Sequence, residues 1–166
     1  MNWCLVVNNS RYYFTEIEFY LFMKSIHEDN SAHNHSVRKG KWRHHLKGLD
    51  ISLGSEETFD GGILLRGIKM DGRFVNGPVR ILTEIFNNLN TVTTSENVFG
   101  LVYNPQRSPL DIFKAPRHGL GKSVSEEFRY KPYRYYTEIG SWNPKDVSPR
   151  VKDNIRLASE RLVNYQ

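Results

Sequence analysis

The stretch Cys4-Leu5-Val6-Val7-Asn8-Asn9-Ser10-Arg11-Tyr12-Tyr13-Phe14-Thr15-Glu16-Ile17-Glu18-Phe19-Tyr20 decides the class of fold. Residues 4–7 are apolar, Asn8-Asn9-Ser10 has turn chemistry, and residues 11–20 are rich in aromatic and β-branched side chains. Together they predict a two-stranded hairpin. A period of two along the second strand places Tyr13, Thr15, Ile17 and Phe19 on one face and Tyr12, Phe14, Glu16, Glu18 and Tyr20 on the other. Two carboxylates then share a face with aromatic rings. One reading is a solvated outer face whose glutamates serve solubility. The other is a carboxylate held against aromatic walls, where desolvation prepares it to take a proton from water. Alternation by itself leaves both open.

Further strands are expected at residues 51–53, 62–68, 98–103 and 133–139. A helix is expected from Gly77-Pro78, with Leu82, Ile85, Phe86 and Leu89 on one face, and a second from Ser148-Pro149, with Val151, Ile155, Ala158 and Leu162 as its stripe. The expected fold is therefore α+β (mixed α/β). With 166 residues, no internal repeat and no linker long enough to separate domains, residues 1–166 read as a single domain.

The formal charge of +5 and the pI near 9.3 suit an acidic polymer as partner, and 39% apolar residues suit a globular chain. A single cysteine, Cys4, excludes an internal disulfide and fits a reducing compartment. No apolar run is long enough for a membrane span, and the opening residues lack the pattern of a signal peptide. The expectation is a cytoplasmic protein without membrane contact.

From Asn30 to Leu49 there is no acidic residue, while Arg38, Lys39, Lys41, Arg43 and Lys47 alternate with His33, His35, Trp42, His44 and His45. Cations interleaved with flat rings have the composition of a surface that neutralises phosphates and stacks on bases; a basic solvated loop is the plainer reading. The histidines lack the spacing of a metal centre, and no metal is expected.

Six segments, in order, resemble the methylpurine (alkyladenine, 3-methyladenine) DNA glycosylases. They are Glu18-Phe19-Tyr20; Glu28-Asp29-Asn30-Ser31-Ala32-His33; residues 40–48; Ile63-Leu64-Leu65-Arg66; Gly77-Pro78; and Pro116-Arg117-His118-Gly119-Leu120-Gly121 followed by Lys131-Pro132-Tyr133-Arg134-Tyr135-Tyr136. The resemblance implies one compact domain with a curved, largely antiparallel sheet and flanking helices, of the kind also found in formyltransferase C-terminal domains. It implies a monomeric, cofactor-free DNA repair enzyme that flips an alkylated or deaminated purine out of DNA and hydrolyses its N-glycosidic bond. By resemblance Glu18 takes the place of the general base and Arg66 of its supporting arginine. Tyr20, His33 and His44 take the places of base-stacking side chains, and Arg38, Lys39, Lys41, Arg43 and Lys47 would meet DNA. Two positions depart from the family. Lys47 stands where a wedging Tyr belongs, and Gly54 where an Asn excludes guanine. A lysine cannot replace an unstacked base, so single-stranded or mismatched DNA becomes the expected substrate, and a non-catalytic nucleic-acid binder is the rival expectation.

Overall fold

The computed structural model describes residues 2–45, 47–93, 96–108, 110–117 and 119–138. Along them run β1 (Trp3–Val7), β2 (Ser10–Met23), β3 (His27–Glu28), β4 (Trp42–His45), β5 (Gly48–Glu56), β6 (Phe59–Met70), β7 (Arg73–Asn76), α1 (Pro78–Asn87), β8 (Phe99–Tyr103), β9 (Phe113–Ala115), α2 (Glu126–Tyr130) and β10 (Arg134–Tyr136). The strands form one curled antiparallel sheet, ordered β4-β5-β6-β2-β1-β8, with β3 and β10 on β2, β7 on β6 and β9 on β10. Strand dominates, so the expected balance of strand and helix shifts: α2 has only five residues. The second helix expected from Ser148 lies outside the described residues.

The opening hairpin forms as its sequence predicts, with Asn8 taking the left-handed conformation (φ 52°) that asparagine tolerates in a tight turn. β2 is the spine of the sheet. β6 runs along one of its edges, while β1, β10 and β3 occupy the other in succession.

One expectation about β2 fails in an informative way. Pairing with β6 shifts register between Phe14 and Glu16 and again between Glu16 and Ile17, so Thr15 on β2 and Arg66 on β6 are passed over. A bulge inserts one residue and reverses the alternation beyond it. Tyr12 and Phe14 therefore enter the hydrophobic core together with Ile17, and Glu16, Glu18 and Tyr20 point to the opposite side. Gly67, paired with Glu16, permits this kink, since a Cβ there would stand 2.6 Å from Thr15 Oγ1 and 2.7 Å from Glu16 Cβ.

The core joins Leu5, Val7, Tyr12, Phe14, Leu49, Leu65 and Ile68 of the sheet to Ile81 and Ile85 of α1. Gly77 (φ 101°) and Pro78 open that helix as expected. Its buried stripe is rotated, however: Ile81 and Ile85 are buried, Leu82 packs beside them, and Phe86 is exposed. Cys4 is buried in β1. Among the described residues no helix is long and apolar enough to cross a membrane.

Candidate active site

The face of the sheet opposite α1 carries a buried set of charges. Glu18 is fully buried, and its Oε2 accepts hydrogen bonds from Tyr20 Oη at 2.8 Å and from Arg66 Nη1 at 3.2 Å. Arg66 also donates from Nε to Glu16 Oε1 at 3.0 Å, and Arg134 Nε donates to that same oxygen at 2.6 Å. Arg134 Nε lies 3.6 Å from Glu18 Oε1. Register explains the meeting, because β10 sets Arg134 directly opposite Glu18 and Tyr136 opposite Glu16. Two carboxylates and two guanidinium groups thus neutralise one another out of water, an arrangement that tolerates loss of no single member.

The ionisation behaviour of the neighbours follows from this packing. Burial works against the charge on Arg66, but the carboxylates of Glu18 and Glu16 outweigh it and hold its pKa above the ordinary arginine value. Burial first, and the Glu18 charge second, push the Tyr20 phenol far above its usual range. Burial does the same to Tyr136, against the opposing pull of Arg134. Tyr20 therefore remains a hydrogen-bond donor to Glu18 at every physiological pH.

A second carboxylate, Asp50, lies on the same face, aligned with Glu18 through Leu64 of the intervening strand. Its Oδ2 accepts from Arg43 Nη1 at 3.0 Å, and its Oδ1 lies 3.1 Å from His45 Nε2. The Lys47 backbone N–H donates to His45 Nδ1 at 3.2 Å, which leaves Nε2 to carry the proton toward Asp50. Two residues further along, Tyr20 and Ser52 flank Gly62, which has no side chain to place between them.

The back of the Tyr20 ring is closed by Arg117. Its guanidinium carbon stands 4.7 Å from the Tyr20 centroid and 5.3 Å from that of Tyr133. The group is fixed there by a wholly buried ion pair with Asp29 at 2.7 Å and by donation to the carbonyls of Phe19 and Phe128. Asp29 in turn accepts from the backbone and hydroxyl of Ser31, so this one pair ties β2, the turn after β3 and the segment around α2 together.

The residues singled out from sequence divide accordingly. Glu18, Tyr20 and Arg66 come together. His33 is exposed on the loop beyond Asp29 and makes no part of this cluster. His44 lies on the other side of the sheet, 6.1 Å from Phe86 of α1, because it alternates with Arg43 and His45, and the neighbour facing Asp50 is His45. Arg38, Lys39 and Lys41 are exposed, in a segment that continues the edge of β5 through the bonds of Gly40 N–H to Ser52 O and of Ser52 N–H to Lys41 O. Arg43 differs from them in being engaged with Asp50. Lys47 is exposed in the turn joining β4 to β5. Gly54 sits at a bulge in β5 (φ 114°), where a Cβ would face Phe59 and Lys39 rather than Glu18.

Glu16, Arg134, Asp50, His45 and Arg117 join the site without having been expected in it. The motifs around Arg117 and Arg134 were the available signal for two of them; His45 and Asp50 become visible only when strand register is known. Among the described residues no three His, Cys, Asp or Glu side chains converge as metal ligands. No protein-family model matches the chain, and no curated protein matches it.

Proposed function

We propose that the chain is a DNA glycosylase that flips an alkylated or deaminated purine out of DNA and hydrolyses its N-glycosidic bond, in the manner of the methylpurine DNA glycosylases and on a single α+β domain like theirs. The observation that carries this reading is the buried Glu18 carboxylate, bonded to Tyr20 and Arg66 beside the bare Gly62. Glu18 takes a proton from water as the water oxygen attacks C1′ of the sugar. The C1′–N9 bonding pair leaves with the purine: a cationic alkylated base departs neutral, a neutral deaminated base collects a proton from solvent, the sugar keeps the hydroxyl, and Glu18 returns its proton to solvent. A carboxylate beside the sugar also offsets the positive charge that develops on C1′, so the reaction calls for no metal or organic cofactor. Tyr20 offers a flat face for the extruded base, and the exposed Arg38, Lys39, Lys41 and Lys47 offer cations to the phosphates. The protein would act as a monomer in the cytoplasm.

A second reading, a nucleic-acid binder without catalysis, is favoured by the complete pairing of Glu16 and Glu18 with arginines. Base release from oligonucleotides carrying hypoxanthine, 1,N6-ethenoadenine or 3-methyladenine, in single and double strands, separates the two. Release that is lost in Glu18→Gln with DNA affinity retained supports the glycosylase. Salt-sensitive binding without any release supports the binder.

A further inference from the structure

The sheet ends at β8, which pairs with β1 and, among the described residues, with no strand on its other side. Two bonds at the ends of that ladder, Asn8 N–H to Val98 O at 2.8 Å and Asn104 N–H to Asn2 O at 2.7 Å, turn the backbone groups of the even-numbered residues toward β1. Backbone direction alternates along an antiparallel strand, so Phe99, Leu101 and Tyr103 aim their N–H and C=O groups outward. Leu101, Val102 and Tyr103 are exposed, and so is Trp3, whose ring lies 5.3 Å from that of Tyr103. At the start of the strand, Trp42 packs edge-on against Phe99 from the core side, 4.9 Å between ring centroids, and holds it in place. Folded proteins block an open edge with lysine, proline or a bulge. β8 contains none of these: its register on β1 is unbroken, and residues 97–106 carry no charge.

An edge without charge offers nothing to an acidic polymer. It suits a second copy of this chain, whose net charge of +5 makes two copies repel over most of their surface. The opposite edge, β4, carries Arg43 and follows directly on Lys41, so β8 is the edge that two copies can share. We infer that two copies pair β8 antiparallel with β8 about a two-fold axis at Leu101, joining their sheets into one. In that register Leu101 faces its own copy and Phe99 faces the partner's Tyr103. Every outward-facing residue then meets another, and each such pair exchanges both of its N–H···O bonds. A slip of one residue sets outward groups against residues already bonded to β1. The row Trp3, Tyr103 continues into the partner's Phe99 and Val7, and aromatic neighbours across strands favour pairing. Such a contact is the same patch on both copies, so it closes as a dimer and does not propagate. The inference goes beyond the proposed function, in which Glu18, Tyr20 and Arg66 of one chain suffice for the chemistry whether or not it is paired.

Sedimentation equilibrium of the full chain, without nucleic acid, is the test. One five-residue strand makes a small contact, so the association is weak and the chain is single when dilute. The average mass should rise from 19.4 kDa toward twice that value as concentration increases from about 1 to about 500 μM. Leu101→Lys and Leu101→Glu each set like charges face to face on the axis and should hold the chain single over the whole range, with thermal unfolding close to that of the parent because the position is exposed. An equimolar mixture of the two variants should recover the dimer, since Lys then faces Glu. Recovery at a single position is the signature of a residue that meets its own copy. A parent chain that stays single at every concentration leaves this edge to residues 139–166 or to a strand of another protein and overturns the inference. A dimer that persists in Leu101→Lys, or a mixture that fails to recover it, places any contact elsewhere and overturns it equally. Masses that climb beyond two copies indicate head-to-tail pairing of unlike edges and overturn the two-fold.

Discussion

The Tyr20 hydroxyl donates a 2.8 Å hydrogen bond to the Glu18 carboxylate two residues before it on the same strand. Burial and that carboxylate raise the phenol's pKa, and burial raises that of Tyr136. A tyrosine that holds its proton more tightly when folded contributes stability that is complete below the unfolded pKa of 10.0. Above that pH the unfolded chain loses the proton while the native chain keeps it, so stability falls as pH rises toward the folded pKa, by about 1.4 kcal/mol per pH unit for each such group. Urea unfolding from pH 8 to 12 should show a steep loss beginning near pH 10. Tyr20→Phe should lower stability by about 1.5–3 kcal/mol at pH 7, through loss of a bond to a charged acceptor, and make the alkaline loss shallower.

Glu18 and Glu16 share Arg66 and Arg134 but differ in what else they touch, since Tyr20 bonds Glu18. Glu18→Gln should reduce base release by a factor of about 10² to 10⁴ with DNA affinity retained, as for loss of a general base. Glu16→Gln should cost stability, since it weakens the shortest bond of the cluster, and leave most of the chemistry. Single-turnover rates normalised to the folded fraction make the comparison. Equal rate losses in the two variants would remove Glu18 from the catalytic role.

Much of this architecture is legible in the chain because it is local. The hairpin, the Gly77-Pro78 helix start and the strands around residues 62–68 and 98–103 announce themselves by turn residues and alternation. The paired bulges at Thr15 and Arg66 do not, because they arise from the contact of β2 with β6, distant in sequence, and they reassign Tyr12 and Phe14 from the glutamate face to the core. Site residues follow the same division. Glu18, Tyr20 and Arg66 belong to recognisable strands, whereas choosing His45 over His44 needs the register of β4 on β5, where one residue changes the face. The short β3, β4, β7 and β9 carry no such signature, because four residues or fewer show little periodicity.

Gly67 tests the bulge directly. Gly67→Ala drives a Cβ against Thr15 and Glu16 and should destabilise the fold by about 1–3 kcal/mol, an overpacking cost. Gly72→Ala, in a turn with nothing near its Cβ, carries only the strain of its positive φ of 80°. Thermal melts of the two variants should separate steric crowding at the bulge from backbone strain in a turn. A Gly67→Ala protein as stable as the parent would mean that the sheet can relax there without disturbing Glu16.

Salt dependence separates exposed cations from engaged ones. Arg38, Lys39 and Lys41 face solvent, whereas Arg43 is paired with Asp50. For single-stranded DNA each phosphate contact contributes about −0.7 to the slope of log affinity against log salt. Replacing Arg38, Lys39 and Lys41 together by Gln should flatten that slope by about 2, whereas Arg43→Gln should act mainly on stability. A slope unchanged in the triple variant would assign this segment to solvent alone.

Lys47 occupies the turn between β4 and β5, and its backbone N–H is tied to His45 Nδ1. The side chain is exposed at the end of a hairpin whose inner face carries Arg43, His45 and Asp50. On the proposed reading, this hairpin tip is the place from which a side chain would enter the gap left by a flipped base. Lysine there meets phosphate but fills no gap in a base stack, and unstacking costs a few kcal/mol in paired DNA and least where the base is mismatched or unpaired. Release should therefore be faster from single-stranded or mismatched DNA than from a fully paired lesion. Lys47→Tyr should narrow that difference by supplying a flat plug. If the parent protein prefers paired duplex, or Lys47→Tyr leaves the ratio of the two rates where it was, the hairpin tip does not act as the wedge.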